Sequence, residues 1–259
     1  MKTINRNNPL YVAYMIEKTL ETANGYAVKI PALWDEKRAR VTRDNEKTGI
    51  PSFSLLAGAR GDIYRGNVPA GLEALKECGG TCSGRCPGCY AEKTTRYPAP
   101  LVKLALNTLE AKSNPRRFIE LVERELFTGN ALTAPRVVRL HDSGDFFNLE
   151  YFRACLDMIT RHPETRFGTY TKEARTVNRY GLENLPENLI LSCSPWKGVS
   201  KPIGNLPQFI YDDGTDAEIA ALPHCPAVNK KGDKTGVKCC QCLHCYTAEN
   251  GARWAVYPH

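Results

Sequence analysis

Val137-Val138-Arg139-Leu140-His141-Asp142-Ser143-Gly144-Asp145-Phe146-Phe147-Asn148 decides how this chain folds. Val137, Val138 and Leu140 make a short apolar strand. A polar, glycine-containing run follows at once, and Asn148 is placed to cap a helix with Phe152, Cys155, Leu156 and Ile159 on its inner face. The same pattern extends in both directions. Upstream, Asn114-Pro115 supplies an N-cap and a first-turn proline; Phe118, Ile119, Val122 and Leu126 follow at helical spacing, and Gly129 ends the run. Downstream, Arg166–Thr171 predicts a strand, Ala174–Tyr180 a short helix, Leu189–Cys193 a strand and Phe209–Tyr211 another.

Residues 53–57, Phe-Ser-Leu-Leu-Ala, predict the first strand, with helical sequence around Ala91–Arg96 and Leu101–Ala111. Alternating strands and helices imply right-handed parallel crossovers. The expected fold is α/β, a parallel partial (βα) barrel with a cysteine-rich C-terminal extension. Residues 1–50 are expected to be a leader with one short helix, its stripe being Leu10, Val12, Ala13, Ile16 and Leu20. Residues 51–222 form the (βα) core and 223–259 the extension.

The composition limits the function classes. The 259 residues are 42% hydrophobic and 24% charged, as in soluble globular proteins. No stretch approaches the apolar length of a membrane span, and the N-terminus lacks a signal peptide's apolar core. A cytoplasmic location is expected, without membrane partners. The net charge of +7 suits either an anionic partner such as a nucleotide or nucleic acid, or a generally basic surface.

Eleven cysteines in a chain of this kind point away from disulfides and toward metal. Cys78, Cys82, Cys86 and Cys89 lie in one glycine-rich loop. Cys82, Cys86 and Cys89 have the spacing C-x3-C-x2-C. Three thiolates so spaced can hold three irons of a [4Fe–4S] cluster, while small neighbours let backbone amides approach its sulfides. With Cys78 as a fourth thiolate, the site is instead a closed cluster or a zinc site. A second group contains Cys225, then Cys239, Cys242 and Cys245 at C-x2-C-x2-C spacing. It suits a second [4Fe–4S] cluster, or zinc with Cys240, His224 and His244 as alternative ligands. Cys155 and Cys193 stand alone and are expected to be core packing.

Ligands of parallel α/β folds collect at the C-terminal ends of strands. His141, Ser143, Gly144 and Asp145 stand at such an end, and so does Lys172 after the next strand. They read either as a ligand site or as an ordinary turn and helix cap. Lys172 could contact a carboxylate or phosphate. Trp196, after the fourth strand, could stack on a base or close the core.

The cysteine spacing after the first strand resembles the radical S-adenosylmethionine (SAM) superfamily, although Gly88 replaces the usual aromatic residue and Tyr90 follows instead. That resemblance implies SAM bound at an open iron, Ser143-Gly144-Asp145 near its amino group, an electron donor such as flavodoxin or ferredoxin, and a 5′-deoxyadenosyl radical as the reactive species. The combination Cys-Pro-Gly-Cys-Tyr-Ala, Arg-Leu-His-Asp-Ser-Gly-Asp-Phe-Phe, Phe-Gly-Thr-Tyr-Thr-Lys, Ser-Pro-Trp-Lys-Gly and the C-terminal triplet also resembles the phage gene product 88-like family over roughly residues 50–259. It implies a phage or prophage origin, with host cytoplasm as the location, and no particular reaction. The expected function is a radical SAM-like enzyme with an auxiliary cluster. The alternatives are a non-enzymatic metalloprotein that binds nucleic acid or a host protein, and an iron–sulfur electron carrier.

Overall fold

A computed structural model describes residues 37–43, 48–58, 78–84, 86, 89, 91, 97–128, 134–196 and 198–258. The expected leader helix, most of the helical stretch at Ala91–Arg96, the stop at Gly129, and Gly88 and Tyr90 lie outside the described residues.

Seven strands form one sheet in sequence order: β1 (Val41–Thr42), β2 (Ser52–Phe53), β3 (Val137–Leu140), β4 (Arg166–Thr171), β5 (Leu189–Cys193), β6 (Gln208–Tyr211) and β7 (Arg253–Val256). β1 and β2 are antiparallel, and every later pairing is parallel. The expected α/β class and parallel pairing therefore hold. Among the described residues β1 and β7 are the two edges, so the sheet is an ordered run, without closure into a barrel. β7 comes from the cysteine-rich extension, which thus completes the sheet.

The helices are α1 (Pro98–Ser113), α2 (Pro115–Phe127), α3 (Leu149–Arg161), α4 (Ala174–Tyr180), α5 (Ala217–Ala220) and α6 (Cys239–Cys242). Asn114 separates the first two. Its N–H donates to Glu110 O at 2.9 Å, and its side chain accepts from Arg117 N at 3.0 Å, ending one helix and capping the next. Asn148 caps α3 through Tyr151 N at 2.7 Å. Both caps agree with the sequence. α1–α4 pack in chain order against one face of the sheet.

The core lies on that face. Phe118, Ile119, Val122 and Leu126 of α2 and Phe152, Cys155, Leu156 and Ile159 of α3 pack with Val138, Leu140, Phe167, Leu189, Leu191 and Cys193 of the strands. Burying one such large side chain stabilises the fold by roughly 1.5–3 kcal/mol. β1 is fastened by charge instead. Arg40 makes a bidentate pair with Glu110 of α1 at 2.7 and 2.9 Å, and Arg38 bonds the same carboxylate, with all three side chains buried.

Residues 54–57 do not extend β2 as the sequence suggests. Their backbone groups are used elsewhere: Leu55 N donates to Ser143 O (3.0 Å), Leu56 N to the Thr108 hydroxyl (2.8 Å), and Leu56 O accepts from Thr81 N (3.1 Å). That diversion brings the cysteine loop to the sheet.

The opposite face carries Arg139, Gly168, Tyr170, Phe209 and Trp254. Arg139 lies over the Tyr170 ring, and Tyr170, Phe209 and Trp254 form a continuous aromatic row. The C-terminal turn His244–Tyr246 covers it. A Cβ at Gly168 would collide with the Tyr246 ring, so glycine lets this turn seat on β4. Among the described residues no helix is long and apolar enough to cross a membrane.

Candidate metal centre

The segment before Cys82 is laid along the chain leaving β2. Thr81 N and Oγ1 both donate to Leu56 O, at 3.1 and 2.8 Å, and Cys82 N donates to Gly58 O at 2.9 Å. Gly80 is required, because a Cβ there would collide with Gly58 O. The turn after β3 locks the other side. Gly144 has φ 86°, and a Cβ on it would sit 2.8 Å from both Leu55 Cβ and Thr81 Oγ1. Ser143 Oγ donates to Leu55 O at 2.8 Å, and Asp145 N to Thr81 Oγ1 at 3.0 Å. The Ser-Gly-Asp turn therefore grips the cysteine loop.

Asp145 then joins the loop to β4. One carboxylate oxygen accepts from Thr171 Oγ1 (2.7 Å) and Phe146 N (2.8 Å), and the other from Lys172 N (2.8 Å). Burial raises its pKa, and these donors oppose that rise. The Lys172 ammonium donates to the Cys86 sulfur and to Ser194 Oγ (3.3 Å) and lies 5.8 Å from the centre of the Trp196 ring. Trp196 is half-buried and stacks on Tyr211 at 4.4 Å.

Cys82 and Cys86 each lie near enough to Cys89 to feel its charge. Burial pushes the Cys82 thiol well up, and the charges of Asp145 and Cys89 push it further; Gly58 N–H and Lys172 oppose them. Cys86 is also raised, first by burial, while Lys172 favours its thiolate. Cys82 and Cys86 thus have two neighbours in common, Cys89 and the cationic Lys172. Among the described residues, no three ligand side chains converge on a single ligation point.

One sequence candidate, His141, points elsewhere, and Cys78 is held through its backbone. His141 has φ 61° and is buried, with Nε2 2.8 Å from the Tyr151 hydroxyl and its ring against Phe53 and Phe146. Burial first, and Arg139 second, hold its pKa down near 3, so it is a neutral core side chain. Cys78 is buried, and its carbonyl accepts from Lys112 Nζ at 2.7 Å. The same ammonium reaches Gly80 O (3.2 Å) and Gly79 O (3.4 Å). Nothing in the local sequence marks Lys112 or Thr81; only the fold brings them to this loop.

The second group sits on the sheet's open face. Burial raises the Cys245 thiol to about 11, the Tyr170 hydroxyl donates to it, and Cys225 and Cys239 act on it as like charges. Cys225 N donates to Ala255 O at 2.8 Å. Cys240 turns away: its N–H donates to Thr48 O (2.9 Å), and its sulfur packs so closely on Gly49 that a Cβ there would collide with it. His224 is held by Asp212 (2.8 Å) and stacks on Tyr257, and His244 lies edge-on to Trp254. Cys242 is exposed on α6. Cys155 and Cys193 are buried in the core, as expected.

A cysteine-rich α/β chain of this pattern matches a known family: the model described as Gene product 88 covers residues 34–248, and the chain belongs to that family. It is 28% identical over 137 residues to "Gene 88 protein" of Mycobacterium phage L5, across 48% of this chain and 55% of that protein. The chain thus spans about half the length of the curated relative it matches. No solved structure matches it.

Proposed function

We propose that this chain is an iron–sulfur protein of radical SAM type, with a catalytic cluster on Cys82, Cys86 and Cys89 and an auxiliary cluster on Cys225, Cys239, Cys242 and Cys245. The observation that carries the reading is two thiols, Cys82 and Cys86, that share Lys172 and the nearby Cys89 at the C-terminal edge of a sequentially ordered parallel sheet, which we take as part of a partial barrel. The donor set fits the group. Soft thiolates are its usual ligands, burial makes Cys82 and Cys86 hard to ionise alone, and a bound cation would offset that cost.

A [4Fe–4S] cluster at this position would supply the electron that cleaves SAM to methionine and a 5′-deoxyadenosyl radical. The chain's own groups have simpler tasks. Lys172 favours the thiolate of Cys86 and is assigned to meet SAM's carboxylate. Asp145 holds the loop and the β4 end in register, and its Lys172-bonded oxygen keeps a lone pair for SAM's ammonium. Ser143 and Gly144 act through the loop they grip. Lys112 fixes the Cys78 backbone through its carbonyl, and the proposed ligand set is the C-x3-C-x2-C triplet without the Cys78 thiol.

Anaerobic purification tests the reading. Brown protein with iron and sulfide, a reduced-state paramagnetic signal that changes on adding SAM, and release of 5′-deoxyadenosine are expected. Colourless protein with stoichiometric zinc, or an iron signal indifferent to SAM, would overturn it.

A further inference from the structure

A second site lies outside the cysteine groups. An open groove of about 420 Å³ is lined by Arg116 of α2, Asn148, Leu149, Glu150 and Arg153 at the start of α3, and Arg179 of α4. Among the described residues no ion pair or hydrogen bond engages the three guanidinium groups, all of which are exposed. The protein's other charged groups show the contrast: Arg161 is held by Glu123, and Arg38 and Arg40 by Glu110. Three cations from three helices meet with one carboxylate, Glu150, among them.

The N-terminus of α3 opens into the same groove. Asn148 satisfies Tyr151 N, so the amides of Leu149 and Glu150 have no acceptor among the described residues. α3 has 13 residues, enough to carry a helix dipole whose positive end adds to the arginines. Planar guanidinium forks and free helix amides together match the oxygens of a phosphate. The groove also has a place relative to the cysteine loop. Asn148 is three residues from Asp145, so their Cα atoms are at most about 11 Å apart.

We propose that this groove binds the phosphate ester of a nucleotide or nucleic-acid strand, on the same edge of the sheet as the first cysteine group. The proposal does not depend on which metal those cysteines hold. Single-stranded DNA carrying fluorescein serves as one probe, read by anisotropy across a salt series; adenosine monophosphate and inorganic phosphate serve as competitors. For the full chain, Arg153→Gln with Arg179→Gln should weaken binding by roughly tenfold and lower the salt slope by about one per arginine removed. Glu150→Gln should tighten it, a change in the opposite direction that loss of folding would not produce. Arg161→Gln should leave it unchanged. Displacement by the mononucleotide at matching concentration would identify a small nucleotide as the ligand; retention of the strand against it would identify nucleic acid. Failure of the unsubstituted chain to bind either, or affinities within twofold for the double variant, would overturn the proposal.

Discussion

Lys112 Nζ donates to the carbonyl of Cys78 at 2.7 Å, from the last turn of α1 to the start of the cysteine loop. The bond fixes the approach to Cys82 through the backbone.

On the proposed ligand set, Cys78→Ala keeps the iron of the first group, whereas Cys82→Ala loses it. Lys112→Met should lower iron content and destabilise the chain by about 1–3 kcal/mol, the cost of leaving buried acceptors unpaired. Iron and sulfide per chain and urea unfolding measure the two effects. Loss of the first group's iron in Cys78→Ala would make Cys78 a ligand and close the site to SAM.

Cys239 and Cys240 are neighbours with different surroundings. Cys239 acts on Cys245, and Cys240 packs on Gly49. Metal content of the second group should fall in Cys239→Ala and persist in Cys240→Ala. Equal metal loss in both would count against the proposed ligand set.

Gly168 faces Tyr246 with no room for a methyl group. Gly168→Ala should cost about 1–3 kcal/mol by overpacking. It should also expose the C-terminal turn to proteolysis. Adding Tyr246→Ala removes the clash, so the double variant should be more stable than the two single losses added together. A double-mutant cycle in urea measures the coupling, and simple additivity would show that the contact is not felt.

His141 gives a pH dependence. Its folded pKa of about 3 lies below the usual value of 6.5, so the unfolded chain binds the proton more readily. The stability it contributes is present above pH 6.5 and is lost as pH falls from there toward 3, on the order of 5 kcal/mol in all. His141→Gln should be less stable near neutrality and should show a shallower decline in acid. Urea midpoints over that range test it; parallel curves would assign the acid sensitivity to other groups.

Several of these contacts were open to the sequence and several were not. The strands at 166–171 and 189–193 and the helix at 174–180 have the expected bounds, because apolar periodicity and flanking polar residues act over a few neighbours. Asn114 and Asn148 are helix caps for the same local reason. β1 and β7 carry weaker signals. The first is two residues long, and the second lies among residues whose cysteines suggest a metal-binding tail. The expected strand at 53–57 shortens because Thr81 and Ser143 compete for its backbone.

By itself the sequence determined the α/β alternation, the helix boundaries set by caps, and the grouping of cysteines by spacing, all of which depend on residues close in the chain. Only the tertiary structure decided that His141 turns into the core, that Lys112 holds the Cys78 backbone, and that Cys240 packs on Gly49. It also brought Lys172 to Cys86 and seated the C-terminal turn on Gly168. Each of those depends on which distant surfaces pack together, and a chain pattern specifies the hydrophobic face of an element without specifying its partner.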